Sequence, residues 1–243
     1  MPVNNLEFHL KELKNRTILT VISFFISFTI CYFFATEIFY FLLKPLEEVL
    51  IQNNLEDKRI IFTSLPEAFI SYVKLSFFSG LIICMPIILS QAYIFIAPGL
   101  YKQEKRQLLP FFILSPILFI LGAALLFYFI MPLAWQFFLN FEAIGNIPIE
   151  LEAKMDQYIS LTLKMIIAFG LAFQFPLVLI LLNKAGVLSR EFLEKKRKIW
   201  LIIILIIAAI ITPPDIISQI ALAIPMYLLY EISIIFCRHK KTA

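Results

Sequence analysis

Charge is what this sequence has least of. Lys and Arg together number 21 and Asp and Glu 17 in 243 residues, or 16% of the chain, against about a quarter in an ordinary soluble domain. Histidine is nearly absent too, and His9 and His239 both fall in the polar ends. The three cysteines, Cys31, Cys84 and Cys237, lie in or at the edge of apolar runs. None has the CxxC or Cys/His spacing of a metal or redox site, so neither metal nor cofactor is expected. There is no GxSxG, HExxH, Walker loop or Gly-rich phosphate cradle, which argues against an enzyme. With six glycines and no paired acids in mid-span, the parts of a proton relay or a broken-helix transporter are missing as well. No nucleic-acid partner is expected.

Apolar residues fill the space instead: 61% of the chain, 26 phenylalanines and a mean hydropathy of +0.89. That excess needs the lipid bilayer as its solvent, and a spanning helix takes about 20 apolar residues. The chain opens on a polar segment, residues 1–16, followed by a long apolar run, which reads as a first span and not as a cleavable leader. Uncharged stretches predict one membrane domain over 1–243, with helices at about 17–43, 68–93, 108–131, 156–183, 199–212 and 216–237. Barrel strands would alternate over ~10 residues instead. The predicted class is an all-α integral membrane protein of six transmembrane helices. The fifth and sixth are short and joined by the tight turn Pro213–Pro214–Asp215, so they thin the bilayer locally or tuck against the others.

Lysine and arginine set the orientation. Fifteen fall at the two termini and in the second and fourth connections, and four in the first, third and fifth, which predicts cytoplasmic termini. Lys74 and Lys164 remain, a turn or two inside spans two and four, where they read as snorkelling anchors. The outer connections are acidic. They are long enough for a cap of short interfacial helices, with Pro45, Pro66, Pro132 and Pro148 supplying breaks.

Few polar residues lie at membrane depth. Gln174, between Phe173 and Phe175 and just before Pro176, and Gln219, one turn into span six, must find partners, because an unpaired buried amide costs several kcal/mol. They either glue helices together or, for Gln219, face a groove open to a partner's membrane helix. Glu12 and Glu104 are carboxylates among cytoplasmic cations. Glu12 and Arg16 stand in the favourable i,i+4 order for self-pairing. Alternatively, the two acids converge at a groove mouth as a receptor for paired guanidinium groups, whose planar forks grip carboxylates as lysine cannot.

The sequence resembles the TatC family, the polytopic receptors of the twin-arginine protein translocase, from about His9 to Arg238. The resemblance rests on His9–Leu13 with its His-Leu-x-Glu-Leu pattern, Lys44-Pro45-Leu46, Met85-Pro86-Ile87-Ile88-Leu89 and residues 95–104 (FIAPGLYKQE). It continues through Ala168-Phe169-Gly170, Thr212-Pro213-Pro214-Asp215 with Ser218-Gln219, and Ala223-Ile224-Pro225-Met226. It implies a concave, groove-bearing fold in a cell inner membrane, or an organelle inner or thylakoid membrane if the chain is organelle-encoded. It also implies export of folded proteins with twin-arginine signal peptides, driven by the proton-motive force, in a multimeric complex with single-span TatA- and TatB-type partners. The family's signal-binding acids fall on Glu12 and Glu104, with Phe95, Lys14 and Arg16 in the same region. Pro45, Pro86 and Asp215 match architectural or functional positions, and Gln219 matches the polar position where partner helices dock. Two departures stand out: Lys14 where the family has Arg, and Gln174 where it has an acid that could titrate. A polytopic small-solute or ion transporter is the alternative.

Overall fold

The computed structural model describes residues 3–55, 60–96, 105–139, 152–212 and 216–237, and among these nearly every residue is helical. The long helices are α1 (Val3–Phe33), α3 (Glu67–Ile96), α4 (Lys105–Leu125), α6 (Met155–Ala172) and α10 (Ile216–Phe236). Shorter ones are α2 (Ala35–Gln52), α5 (Met131–Leu139), α7 (Phe175–Lys184), α8 (Arg190–Lys195) and α9 (Arg197–Ile211). Among the described residues, five segments are long and apolar enough to cross a bilayer: Lys11–Phe33, Glu67–Gln91, Ile113–Leu139, Met155–Lys184 and Ser218–Phe236. The 15 residues of α9 extend only about 22 Å, in keeping with the short fifth helix predicted. The sixth, α10, is not short: its apolar run carries on past Glu231 to Phe236, and its 21 residues extend about 32 Å.

Contacts at regular intervals fix how the helices run. Along α1 and α3, Phe24 meets Phe77 with ring centroids 5.1 Å apart, the Cys84 thiol reaches the Thr20 carbonyl and Arg16 reaches Gln91. As one number rises the other falls, so the pair is antiparallel. At its centre a Cβ on Gly80 would lie 2.8 Å from Phe28 Cα and 2.9 Å from Phe28 N; glycine is there because two backbones touch. The same ladder links α4 to α6 and α7, through Gly122 against Phe169, Phe119 against Gly170 and Ser115 against Gln174. A third runs from Gln219–Leu205 to Glu231–Arg197 across the α9/α10 hairpin. Small residues at crossings are the usual route to close packing in lipid, where burial of apolar surface supplies little attraction between helices.

Several boundaries differ from those predicted. The first helix does not continue to 43: it turns at Phe34, three residues before Glu37, the first charge after Arg16. Pro45 does not break a helix, being buried within α2. Pro132 does not break the third span either. Its ring would collide with the carbonyl four residues back, and the chain answers with a π-turn over Leu126–Ile130, in which Met131 N–H bonds the Leu126 carbonyl. Span four, expected as one helix, is divided at Phe173–Gln174. Pro176 lacks the N–H that would bond Ala172, which ends α6 there.

The acidic end carries a tie between connections: Ile60–Ile61 pairs in parallel with Ala153–Lys154. Beside it Lys74, expected as a free anchor, is tied to a neighbouring helix. Its ammonium pairs with Asp156 and donates to Ser160 Oγ at 3.1 Å, clamping α3 to α6. Lys164, by contrast, is exposed. At the opposite, basic end, Arg197 grips Glu231 with Nε–Oε1 at 3.0 Å and Nη2–Oε2 at 3.1 Å. Tyr230 donates to the Leu193 carbonyl at 2.8 Å, seating α8 against α10.

Gly80→Ala is expected to cost about 1–3 kcal/mol, the range for overpacking a close contact, read as a lower thermal unfolding midpoint in detergent. An unchanged midpoint would mean that the α1–α3 contact is looser than the geometry requires.

Candidate functional site

Glu12 and Arg16 stand one turn apart on α1, on the face toward α3. Arg16 Nε donates to Glu12 Oε1 at 3.2 Å, and Nη2 donates to the same oxygen. The self-paired arrangement that the spacing allowed is therefore present. A third donor extends it: Arg16 Nη1 bonds Gln91 Oε1 at 3.2 Å, from α3. Both members of the ion pair are one-fifth exposed. They line a cleft of about 520 Å³ together with Lys11, Asn15, Leu19 and Gln91.

The other predicted members divide into three groups. Lys14 is exposed and does not line this cleft: two residues from Glu12 on a helix it points about 200° away. Phe95 lies on α3 one turn beyond Gln91, but its side chain, like all of Glu104 and Asp215, falls outside the described residues. Pro86 lies within α3 and lines an apolar hollow of about 470 Å³ with Phe41, Ile82, Phe119 and Phe127. Gln91 was missed by sequence reasoning. The signal available was an amide near the basic end of a long uncharged run, the same feature that drew attention to Gln174 and Gln219.

Those two amides both find partners inside the chain. Gln174, buried at 6% exposure, accepts from Ser115 Oγ at 2.7 Å and donates Nε2 to the Ser115 carbonyl at 2.8 Å. This reciprocal pair requires one side chain that both accepts and donates, which an amide does and an ionised carboxylate does not. Gln219 Nε2 donates to the Leu205 carbonyl at 3.2 Å, so in the single chain it closes the α9/α10 hairpin.

The comparisons with known proteins agree with this architecture. The family model described as Sec-independent protein translocase protein (TatC) matches residues 8–225. The chain belongs to the TatC family. The TatC of Rickettsia prowazekii is 47% identical over 243 residues, covering 100% of this chain and 96% of that protein. The TatC of Magnetococcus marinus is 45% identical over 230 residues, covering 95% and 82%. The crystal structure of the twin-arginine translocase receptor TatC in DDM superposes with a TM-score of 0.78 at 38% identity, covering 95% of this chain and 99% of that one. This TatC-family chain is thus a membrane component of the Sec-independent protein translocase, and the transporter alternative gains no support.

Gln174→Leu is expected to cost about 1–3 kcal/mol, since it strips the Ser115 hydroxyl of its partner in a buried setting. Ser115→Ala should be milder, because Gln174 Nε2 still reaches the main-chain oxygen. Unfolding midpoints in detergent would test that order, and the reverse order would refute the reciprocal pair.

Proposed function

We propose that this chain is the signal-recognising receptor and scaffold of a twin-arginine translocase. It binds the arginine pair of an incoming signal peptide at the cytoplasmic face through Glu12 and Glu104. Six spans, with α9 as the short fifth, place both termini in the cytoplasm of a cell whose inner membrane holds the protein. TatA- and TatB-type single-span proteins assemble with it, at the polar position of Gln219 in the hairpin. Export of folded cargo then draws on the proton-motive force.

One observation carries this reading. Glu12 is a carboxylate at the lip of a polar cleft, and among the described residues both bonds that it accepts fall on a single oxygen. A partly shielded carboxylate with acceptor capacity left is suited to a guanidinium, because charge-assisted bonds gain strength when water is partly excluded. The surrounding cations bear on selectivity: with Lys11 and Arg16 beside it, Glu12 rewards a ligand that offers directed N–H forks over one that offers charge alone. The solved relative, a twin-arginine translocase receptor, supports the same assignment.

Glu12→Lys and Glu104→Lys are each expected to abolish binding of a twin-arginine signal peptide while leaving the protein inserted. Glu12→Gln should weaken binding roughly tenfold or more, as loss of a charge-assisted bond implies. Binding by fluorescence anisotropy on purified protein in nanodiscs would measure this. Unchanged affinity in both reversals would reject the site.

A further inference from the structure

The Glu12–Arg16 contact poses a problem for any receptor built on Glu12. An arginine fork facing a carboxylate ordinarily forms two parallel bonds, one to each oxygen. Paired that way, both oxygens of Glu12 would already be engaged by its own chain, leaving neither clear for a second fork. The observed geometry is different: Arg16 Nε and Nη2 converge on Oε1, and Nη1, on the other edge of the guanidinium, is bonded to Gln91 Oε1 at 3.2 Å. The plane of the guanidinium is therefore set by two helices.

We propose that Gln91 is a positioning residue for arginine recognition. By holding the far edge of Arg16 it keeps that side chain from turning to take both oxygens of Glu12, and so reserves one carboxylate oxygen for the ligand's guanidinium. This rests on the assignment of Glu12 as a signal-binding acid. Gln91 is suited to the task because its oxygen accepts without adding a charge, so it does not draw Arg16 away from Glu12. The backbone contact at Gly80 supports the arrangement, because it fixes the approach of α1 to α3 three helical turns away. Arg16 in turn becomes the cation against which incoming ligands are compared. A lysine ammonium, unable to form the planar fork, gains less from the reserved oxygen than an arginine does.

The experiment compares two fluorescent signal peptides, one with the arginine pair and one with lysines in its place. Each binds full-length protein in nanodiscs carrying Gln91→Leu, Arg16→Lys, Arg16→Ala, Arg16→Ala/Gln91→Leu or Glu12→Gln. Gln91→Leu is expected to weaken the arginine peptide five- to twentyfold and the lysine peptide little, so the preference between them narrows. In the Arg16→Ala background, Gln91→Leu should change affinity less than twofold, because Gln91 acts through Arg16. Arg16→Lys, which keeps the charge but not the fork, should narrow the preference as well, and serves if Gln91→Leu does not fold. The proposal is overturned if the preference is unchanged in Gln91→Leu and Arg16→Lys, or if the full Gln91→Leu loss persists without Arg16. A Glu12→Gln protein that binds normally would instead reject the recognition site itself, whereas loss in Glu12→Gln with no effect at Gln91 rejects only the positioning role.

Discussion

The arrangement at the basic end depends on two backbones touching. Helix α1 keeps most of its surface outward, with Ile18, Ile22, Phe25, Ile26 and Phe33 all exposed, and finds its main partner in α3. Gly80 lets the pair close until Phe28 main-chain atoms fill the space that a side chain would need. From that point the register runs outward through Cys84 and Thr20 to Gln91 and Arg16. The polar cleft is thus set by a contact deep within the lipid-facing region. Hydrophobic burial has little power to hold helices together in lipid, so steric fit of this kind decides where α1 sits.

Charge is distributed to suit the same solvent. Four ion pairs among the described residues lie toward the ends of the apolar segments: Glu12–Arg16, Arg190–Glu194 and Arg197–Glu231 at one end, Lys74–Asp156 at the other. The middle is held by neutral bonds, of which Ser115–Gln174 is a buried example. Fixing mid-membrane contacts with an amide avoids placing an ionised group where desolvation is most costly. It also makes that contact insensitive to pH.

Much of this was legible in the sequence. Long uncharged runs marked the helices, and the brevity of the fifth followed from the short stretch of sequence between Lys198 and the Pro213–Pro214 pair. Gln174 and Gln219 were recognisable as bonded amides because an apolar surrounding leaves an amide no alternative. What was not legible concerned proline and partner choice. Pro45 and Pro132 were expected to break helices, but a helix can absorb proline where the adjoining turn is free to widen. Lys74 was expected to reach for the interface; that Asp156 stands across from it depends on the packing of α3 on α6, which no local pattern reports. The cleft was half visible: the i,i+4 spacing showed Arg16, but Gln91 lies 75 residues away and becomes its neighbour only when α1 and α3 are antiparallel.

The π-turn at Leu126–Ile130 gives one hydrophobic segment two allegiances. An extra residue in a turn shifts the helical phase of everything after it by about 100°. Before the slip, α4 addresses α6 and α3; after it, α5 addresses α2 and α10. A single continuous α-helix would present one stripe along its whole length and could satisfy only one of those sets of neighbours. The slip therefore lets a membrane segment change its facing mid-course, so that Trp135 and Leu139 are buried without an interruption of the chain in lipid.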